Sequence, residues 1–360
     1  ISGAVWQEHD DRRATSSFGV SSLSLIAIKS PEALLASTDA ALYEAKRAGL
    51  SAVGIDKGPI CNALVTHPPY MTWFSTSDKL ELAGFPLLVD EKNPSTREYL
   101  KYCRAFARYH DLKVNTYREV TAIEKVDDVF EVRARDMFNR TYVWRARNVA
   151  TGTGFFDSPR ALEGVEGSEL PKVTHRFTEA HRYADHKVLV IGAGSSAAEV
   201  ALELWREHTD VTIVMRRDEF HTKYWVKPDI ENRIKEGSIA CYRNARVKAI
   251  RPDDVVIVDE HGKEVIIEND FVLAMTGYEP DTSMLEAAGA EIDRAMNRPI
   301  LTEALETTVP GLYVIGTLIA GIESNVVFIE NSRDHGAKIV GDILRKRASR
   351  RAEETVASKR

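Results

Sequence analysis

The 360-residue sequence has only three cysteines and no long apolar run, and each absence excludes a class of protein. Because Cys61, Cys103 and Cys241 are far apart, no Cys-x-x-Cys pair is available for a zinc site or a vicinal redox dithiol, and we expect no metal site. No segment has the length of a membrane-spanning helix and no signal peptide precedes the first polar residues, so we expect a cytoplasmic protein. The net charge of -6 favours no nucleic-acid partner. Because the first residue is Ile1 rather than Met, we expect a piece of a longer chain.

One short segment carries a dinucleotide-binding pattern. Apolar residues 188–191 lead into a Gly-Ala-Gly turn at 192–194, and helix-forming residues follow from 195. In such a strand–turn–helix unit the first glycine permits the tight turn and the second lets the backbone approach a pyrophosphate. The free N–H groups at the start of the helix favour the negative charge of the phosphates. The predicted pyrophosphate site comprises Gly192, Gly194, Ser195, Ser196 and Ala197.

The following strand indicates which nucleotide binds. It covers residues 210–215 and ends at Arg216 and Arg217. An NAD site usually has an acidic residue there for the ribose hydroxyls, whereas two guanidinium groups suit a 2′-phosphate. The pattern therefore predicts NADPH as the nucleotide. An ordinary tight turn followed by surface arginines is the alternative interpretation.

With 44% hydrophobic residues the chain can bury a large core, and we expect two or three domains. Residues 95–110 predict a helix, and alternating patterns within 119–149 predict antiparallel strands. Two segments, 148–152 and 270–277, each predict a strand that ends in a turn of small residues, and they lie on either side of the glycine unit.

Five segments together resemble the pyridine nucleotide–disulfide oxidoreductase superfamily. Within it they are most similar to the bacillithiol disulfide reductase group, a thioredoxin-reductase-like branch that has no Cys-x-x-Cys. The segments are MTWFSTSDKLELAGFP (71–86), ATGTGFFDSP (150–159), LPKVTHRFTEAH (170–181), FVLAMTGYEPD (271–281) and VFIENSRDHG (327–336).

The resemblance implies an α/β fold with two Rossmann-like dinucleotide-binding domains, each of three layers around a central parallel sheet. An NADPH domain at 160–274 would be inserted into an FAD domain formed by 50–159 and 275–345, and a disordered basic tail would follow at 346–360. The implied activity is hydride transfer from NADPH to FAD and on to a disulfide, such as that of a low-molecular-weight thiol, or to another acceptor. A homo-oligomer is the expected assembly.

The resemblance also implies roles for individual residues. Thr276 and Gly277 would contact NADPH. Cys61 and His335 are the candidates for the chemistry; a small buried apolar residue and a structural histidine are the alternatives. Asp56, at the end of a strand, would bond the adenosine ribose of FAD. The expected FAD site comprises Asp56, Lys57, Thr72, Phe74, Ser75, Thr151, Gly152, Gly316 and Thr317.

Two positions depart from the superfamily. Thr317 stands where most members have an Asp that meets the flavin ribityl chain, which the bacillithiol disulfide reductase branch tolerates. The glycine loop for the FAD pyrophosphate has no counterpart, because no glycine lies between Gly19 and Gly49. In its place, SPEALLASTDAALYEAKRAG (30–49) and SFGVSSL (17–23) resemble the C-terminal end of a GGDEF diguanylate cyclase domain, without its signature. Residues 1–49 are therefore expected to be a remnant that replaces the first strand–helix unit.

The expected replacement is a strand at 23–28, a helix at 30–49 and a strand at 51–55, in the order of a parallel βαβ unit. Its loop at 29–32 is poorly suited to a pyrophosphate, because Pro31 removes one N–H and Glu32 adds negative charge. We therefore expect poor FAD occupancy. A non-catalytic NADP(H)-binding or regulatory protein is the alternative function, and a fragment of a signalling protein is another.

Overall fold

The computed structural model describes residues 2–7, 35–154, 158–323 and 326–357. The chain divides into two compact units. The first comprises Ile1–Val65, Pro69–Ser158 and Glu279–Arg360, and the second comprises Thr66–Pro68 and Pro159–Tyr278. In the described part of the chain, no helix has the length and apolarity needed to cross a membrane.

The helices and strands are, in chain order, β1 (Ser2–Gln7), α1 (Leu35–Arg47), β2 (Ser51–Asp56), α2 (Asn62–Val65), α3 (Ser77–Leu80), α4 (Thr96–Tyr109), β3 (Val114–Asn115), β4 (Glu119–Val126), β5 (Val129–Arg135), β6 (Thr141–Ala146), β7 (Asn148–Thr151), β8 (Val173–Thr174), β9 (Lys187–Ile191), α5 (Ser195–Arg206), β10 (Asp210–Val214), α6 (Lys227–Lys235), β11 (Ala240–Tyr242), β12 (Arg246–Ile250), β13 (Asp254–Val258), β14 (Glu264–Glu268), β15 (Phe271–Ala274), α7 (Ser283–Ala287), β16 (Ile292–Asp293), β17 (Arg298–Pro299), β18 (Leu312–Val314), α8 (Ile329–Ser332) and α9 (His335–Ala357).

The first unit is built on a five-stranded sheet of order β18-β7-β1-β2-β3. Helices α1 and α9 pack on the sheet through a buried apolar cluster that includes Ala41, Leu42, Tyr313 and Ile339. A second cluster, which includes Val149 and Leu312 of the sheet, contains the buried side chains of the antiparallel sheet β4-β5-β6. The predicted three-layer arrangement is therefore present in this unit.

The direction of β1 differs from the expectation. β1 pairs antiparallel with β2, with Ser2 opposite Asp56 and Gln7 opposite Ser51, and antiparallel with β7. Among the described strands, the neighbours of β2 are thus β1 and β3. The expected parallel strand at 23–28 and the loop at 29–32 lie outside the described residues. The uncharged segment SGAVWQ forms the strand between β2 and β7, where pairing on both sides satisfies its backbone N–H and C=O groups. Such pairing depends on residues far away in the sequence, so local sequence patterns do not predict it.

The second unit contains a fully parallel sheet of order β11-β10-β9-β15-β8. Helices α5 and α6 contribute to an apolar cluster with one set of strand residues, including Val188 and Ile213. The antiparallel sheet β12-β13-β14 contributes to a cluster with the alternate set, including Leu189 and Val214. Together the two units confirm the predicted α/β class with dinucleotide-binding domains.

Two predicted elements need correction. The strand expected to continue to residue 149 is divided into β6, in the antiparallel sheet, and β7, in the sheet with β18. The tail expected to be disordered from 346 is helical to Ala357, as part of α9. Lys and Arg favour helices, and Lys346 forms ion pairs with Glu306 and Asp342, which anchors the turn where the tail begins.

Two glycines of α9 provide a matched test of its packing on α1. A Cβ atom at Gly336 would lie 2.4 Å from the Cα atom of Ala41, whereas one at Gly341 would meet no atom within 4 Å. We expect Gly336→Ala to lower the free energy of unfolding by about 1–3 kcal/mol through overpacking. Gly341→Ala should raise it by up to about 1 kcal/mol, because alanine favours the helix. Urea denaturation measures both; equal effects of the two substitutions would contradict this packing.

Candidate functional site

The turn that follows β9 in the second unit has the geometry that a pyrophosphate requires. Gly192 has a φ of 142°, and a Cβ atom there would lie 2.4 Å from the carbonyl oxygen of Met275 and 3.2 Å from the Cβ atom of Ala197. Only glycine fits this position. Two hydrogen bonds with residues outside the turn fix its backbone. The Gly192 N–H donates to the Val214 carbonyl at 3.0 Å, and the His221 N–H donates to the Ala193 carbonyl at 2.8 Å.

The start of α5 is open for an anion. Gly194 is the N-cap residue, has extended backbone angles and forms no side-chain cap. A Cβ atom at Gly194 would have no neighbour within 4 Å, so a ligand can approach the backbone there. The N–H groups of the first turn, which includes Ser195 and Ser196, have no intrahelical acceptors, and the helix dipole favours negative charge at this end. These residues fit the pyrophosphate of a dinucleotide.

The neighbouring strands bring the other predicted NADPH residues to the same edge of the sheet. Arg216 and Arg217 follow β10 and are exposed. Thr276 and Gly277 follow β15 on the other side of β9. The Thr276 hydroxyl donates to the carbonyl of Arg160 at 2.9 Å, and the Gly277 carbonyl accepts the Arg160 N–H at 2.9 Å. Thr276 is therefore engaged in holding the turn.

In the first unit, the carboxyl ends of β2, β7 and β18 form one edge. Asp56 ends β2, is buried, and accepts the Gly58 N–H at its Oδ1 atom at 3.0 Å, while Lys57 beside it is half-buried. Thr151 ends β7, followed by Gly152, and donates its hydroxyl to the Tyr313 carbonyl at 3.3 Å. An acidic residue at such a strand end suits the ribose of an adenine dinucleotide, so Asp56 fits the adenosine part of FAD.

The described residues of the first unit supply only part of a site for the FAD pyrophosphate. Helix α1 leads directly into β2, so its N-terminus points to the edge where β2 ends, and both elements are about 20 Å long. β1 runs the other way, so that it ends at Gln7, opposite the first residue of β2. A turn directly after β1 would thus lie at the wrong edge, and the segment that joins β1 to α1, residues 8–34, lies outside the described residues.

The loop predicted to contact the flavin is joined to α8 by the Ser75 side chain. The buried Ser75 hydroxyl donates to the Oε1 atom of Glu330, while the Oε2 atom of Glu330 is buried and has no hydrogen-bond partner among the described residues. Thr72 pairs with Ser95 in an isolated bridge, and Phe74 is 53% exposed. We did not predict Glu330 from the sequence, although it lies within the VFIENSRDHG segment, because an unpartnered oxygen is a tertiary property.

Gly316 and Thr317 follow β18 at the same edge, and His335 lies beside them. Gly316 has a φ of 73°, and its N–H donates to the Nδ1 atom of His335 at 3.2 Å. His335 is buried, and burial lowers its pKa to about 4, so the imidazole is a neutral acceptor at physiological pH. Thr317 is also buried.

The cysteines have different surroundings. Cys61, the other candidate for the chemistry, is buried and has a φ of 68°. Burial raises the pKa of the Cys241 thiol to about 11, which disfavours a reactive thiolate there. The roles of Cys61 and His335 stay predictions.

The buried histidine makes stability depend on pH. Unfolded His335 binds a proton at its ordinary pKa of 6.5, whereas in the folded state it does so only near 4. The free energy of unfolding therefore falls as the pH falls from about 6.5 to about 4, by roughly 3–3.5 kcal/mol in all. In His335→Asn the amide oxygen can still accept the Gly316 N–H but does not titrate. The free energy of unfolding, measured by denaturation at pH 7.5 and at pH 5, should therefore differ less between the two pH values in this variant than in the parent protein. His261→Asn, at a side chain that is 81% exposed, is the control. The same change of unfolding free energy with pH in the parent and in H335N would show that His335 is not the group responsible.

Comparisons with known proteins agree with this geometry. Residues 40–316 match the family described as pyridine nucleotide-disulphide oxidoreductase. Bacilliredoxin reductase Bdr of Bacillus subtilis is 34% identical over 306 residues, which cover 84% of this chain and 92% of the relative. The comparisons give no support to the predicted resemblance of residues 1–49 to a cyclase domain.

Two solved structures are similar over nearly their whole length. The bacillithiol disulfide reductase Bdr from Bacillus cereus aligns with a TM-score of 0.84 and 32% identity, covering 91% of this chain and 100% of that one. The enzyme of the same name from Staphylococcus aureus aligns with a TM-score of 0.83 and 32% identity, covering 92% and 99%. FAD and NADPH are the cofactors of such enzymes, as the sequence predicted. The chain therefore belongs to the pyridine nucleotide-disulphide oxidoreductase family and is an oxidoreductase that uses these two cofactors.

Proposed function

We propose that this protein reduces the disulfide of a low-molecular-weight thiol with electrons from NADPH. Its support is the similarity to enzymes named bacillithiol disulfide reductase, together with the anion-ready turn at 192–194. The reaction balances: NADPH supplies two electrons and one proton as a hydride and solvent supplies a second proton, so one disulfide gives two thiols and NADP+. Bound FAD would supply the carrier that accepts the hydride and releases electrons to the disulfide.

Recognition of the nucleotide is the part of this function that we assign to individual residues. We propose that Gly192, Gly194 and the start of α5 hold the pyrophosphate, and that Arg216 and Arg217 bind the 2′-phosphate. Both arginines are exposed at the carboxyl end of β10, next to the strand that enters the glycine turn. This arrangement supports NADPH over NADH, because guanidinium groups have no corresponding dianion to bind in NADH.

Replacing both arginines tests the preference. In Arg216→Ala/Arg217→Ala, loss of charge-assisted hydrogen bonds worth about 2–4 kcal/mol should weaken NADPH binding roughly 30- to 1000-fold, while NADH binding changes little. Isothermal titration with both nucleotides measures this. Arg206→Ala is the matched control, because Arg206 lies at the opposite end of α5 and pairs with Glu203 and Asp229. Equal losses for NADPH and NADH would count against the assignment.

We also propose that FAD binds weakly. Asp56 supports adenosine binding, and the surroundings of Ser75, Gly316 and Thr317 support flavin binding, but the sequence that joins β1 to α1 has one glycine, Gly19, and no G-x-G-x-x-G pattern. Several backbone N–H bonds to a dianion, each worth about 1.5–3 kcal/mol, are then missing, which corresponds to orders of magnitude in affinity.

The measurement is the FAD-to-protein ratio after gel filtration, read from the visible absorption spectrum. We expect a ratio well below one that rises when FAD is added, and Asp56→Ala should reduce it further. Asp128→Ala, at the turn between β4 and β5, is the control. A stoichiometric yellow protein would show that another segment binds the pyrophosphate.

A homo-oligomer stays a prediction that sedimentation velocity tests.

A further inference from the structure

The two arginines that suit a 2′-phosphate lie in a segment without regular secondary structure. β10 ends at Val214, and residues 216–219 form a series of bends, so neither a strand nor a helix fixes Arg216 and Arg217. The side chains of both arginines are exposed. A segment that must become ordered when a ligand binds lowers the affinity, so whatever holds these residues beforehand contributes to recognition.

The turn that follows the neighbouring strand, β11, holds this segment by its main chain. The Asn244 N–H donates to the carbonyl of Arg217 at 3.2 Å. One guanidinium nitrogen of Arg243, Nη1, donates to the carbonyl of Asp218, which is the next residue of the segment. Asn244 has a φ of 50°, a left-handed conformation that asparagine adopts more readily than most residues. Two consecutive residues of one turn thus bond two consecutive carbonyls of the segment.

The Arg243 side chain is itself held on two sides. Its Nη2 atom donates to the Oε2 atom of Glu231, on α6, at 2.6 Å, and both side chains are half-buried. Its guanidinium carbon lies 5.9 Å from the ring centroid of Phe220, which belongs to the apolar core of this unit. The planar guanidinium group can bond the Asp218 carbonyl and the Glu231 carboxylate at once, as a single ammonium group does less well. Arg243 therefore joins the segment that follows β10 to a helix.

We propose that Arg243 is a positioning residue that holds Arg216 and Arg217 in place for the 2′-phosphate of NADPH. The inference rests on the proposed function, because it takes the phosphate site from those two arginines. Arg243 bonds the main chain of the segment, and its charge is paired with Glu231, so it contributes order and not a contact with phosphate. Its effect should therefore appear only with a nucleotide that has a 2′-phosphate, and only while Arg216 and Arg217 are present.

The test compares NADP+ with NAD+, which differ only in the 2′-phosphate, by isothermal titration of the full chain. Arg243→Met removes the donors and keeps an unbranched stem against Phe220. Because Asp218 is exposed, water can bond its freed carbonyl, so the segment becomes mobile while the fold persists. We expect the Kd of NADP+ to rise about 3- to 10-fold, the effect of one lost hydrogen bond, with the Kd of NAD+ unchanged. Arg243→Lys, which keeps the charge, should show a smaller effect in the same direction.

A double-mutant cycle separates positioning from direct binding of the phosphate. In the Arg216→Ala/Arg217→Ala background, Arg243→Met has no arginines left to position and should change the Kd of NADP+ by less than about twofold. The full 3- to 10-fold loss, about that of the single variant, would make Arg243 itself a phosphate ligand and would overturn the inference.

The matched control is Arg251→Ala, because Arg251 also pairs with a carboxylate, that of Asp254 at 2.7 Å, but between β12 and β13 of the antiparallel sheet. It should change the affinity for neither nucleotide. Equal losses for NADP+ and NAD+ in Arg243→Met would make Arg243 a general structural residue and overturn the inference, as would no loss for either. A parent protein that binds NADP+ no more tightly than NAD+ would instead refute the proposed function. Unchanged binding of NAD+ also shows that each variant is folded.

Discussion

A phosphate pair can be held by bare backbone only where a turn allows close approach and a helix begins directly behind it. The second unit meets this constraint at Gly192 and Gly194, where one glycine lies against a carbonyl oxygen and the other faces open space. Its parallel strands then bring arginines and a turn threonine to the same edge. The place of each of these groups along that edge is set by the strand that it follows.

The first unit meets the constraint only in part. Its helix α1 ends at β2 and therefore begins near Asp56, so the favourable end of the helix dipole is kept. The strand that would normally deliver a glycine turn to that point runs in the opposite direction. The described residues of the two α/β units thus differ in the direction of one strand, while the first unit keeps an acidic residue, Asp56, at the end of β2.

The glycine turn, the position of the two arginines after β10, and helix α4 could be predicted from sequence, because each depends on neighbouring residues. Ser95, for example, caps α4 with a full capping box to Glu98. The direction of β1 could not be predicted in this way, since it depends on partners about 50 and 150 residues away in the sequence. The Oε2 atom of Glu330, which has no hydrogen-bond partner in the described part of the chain, was missed for a related reason, because packing decides whether a polar atom has a partner. The segment that contains Glu330 carried the family resemblance, but that resemblance assigned Glu330 no role.

Strand β1 also determines the order in which the first sheet can be completed. It is the strand that joins β7 and β18 on one side to β2 and β3 on the other. β7 ends at Thr151, so during synthesis the side of β1 that pairs with β7 has no such partner until nearly 150 further residues have been made. Pairing between strands so far apart in sequence forms more slowly than local pairing. During that interval one edge of β1 is open to pairing with strands of other molecules.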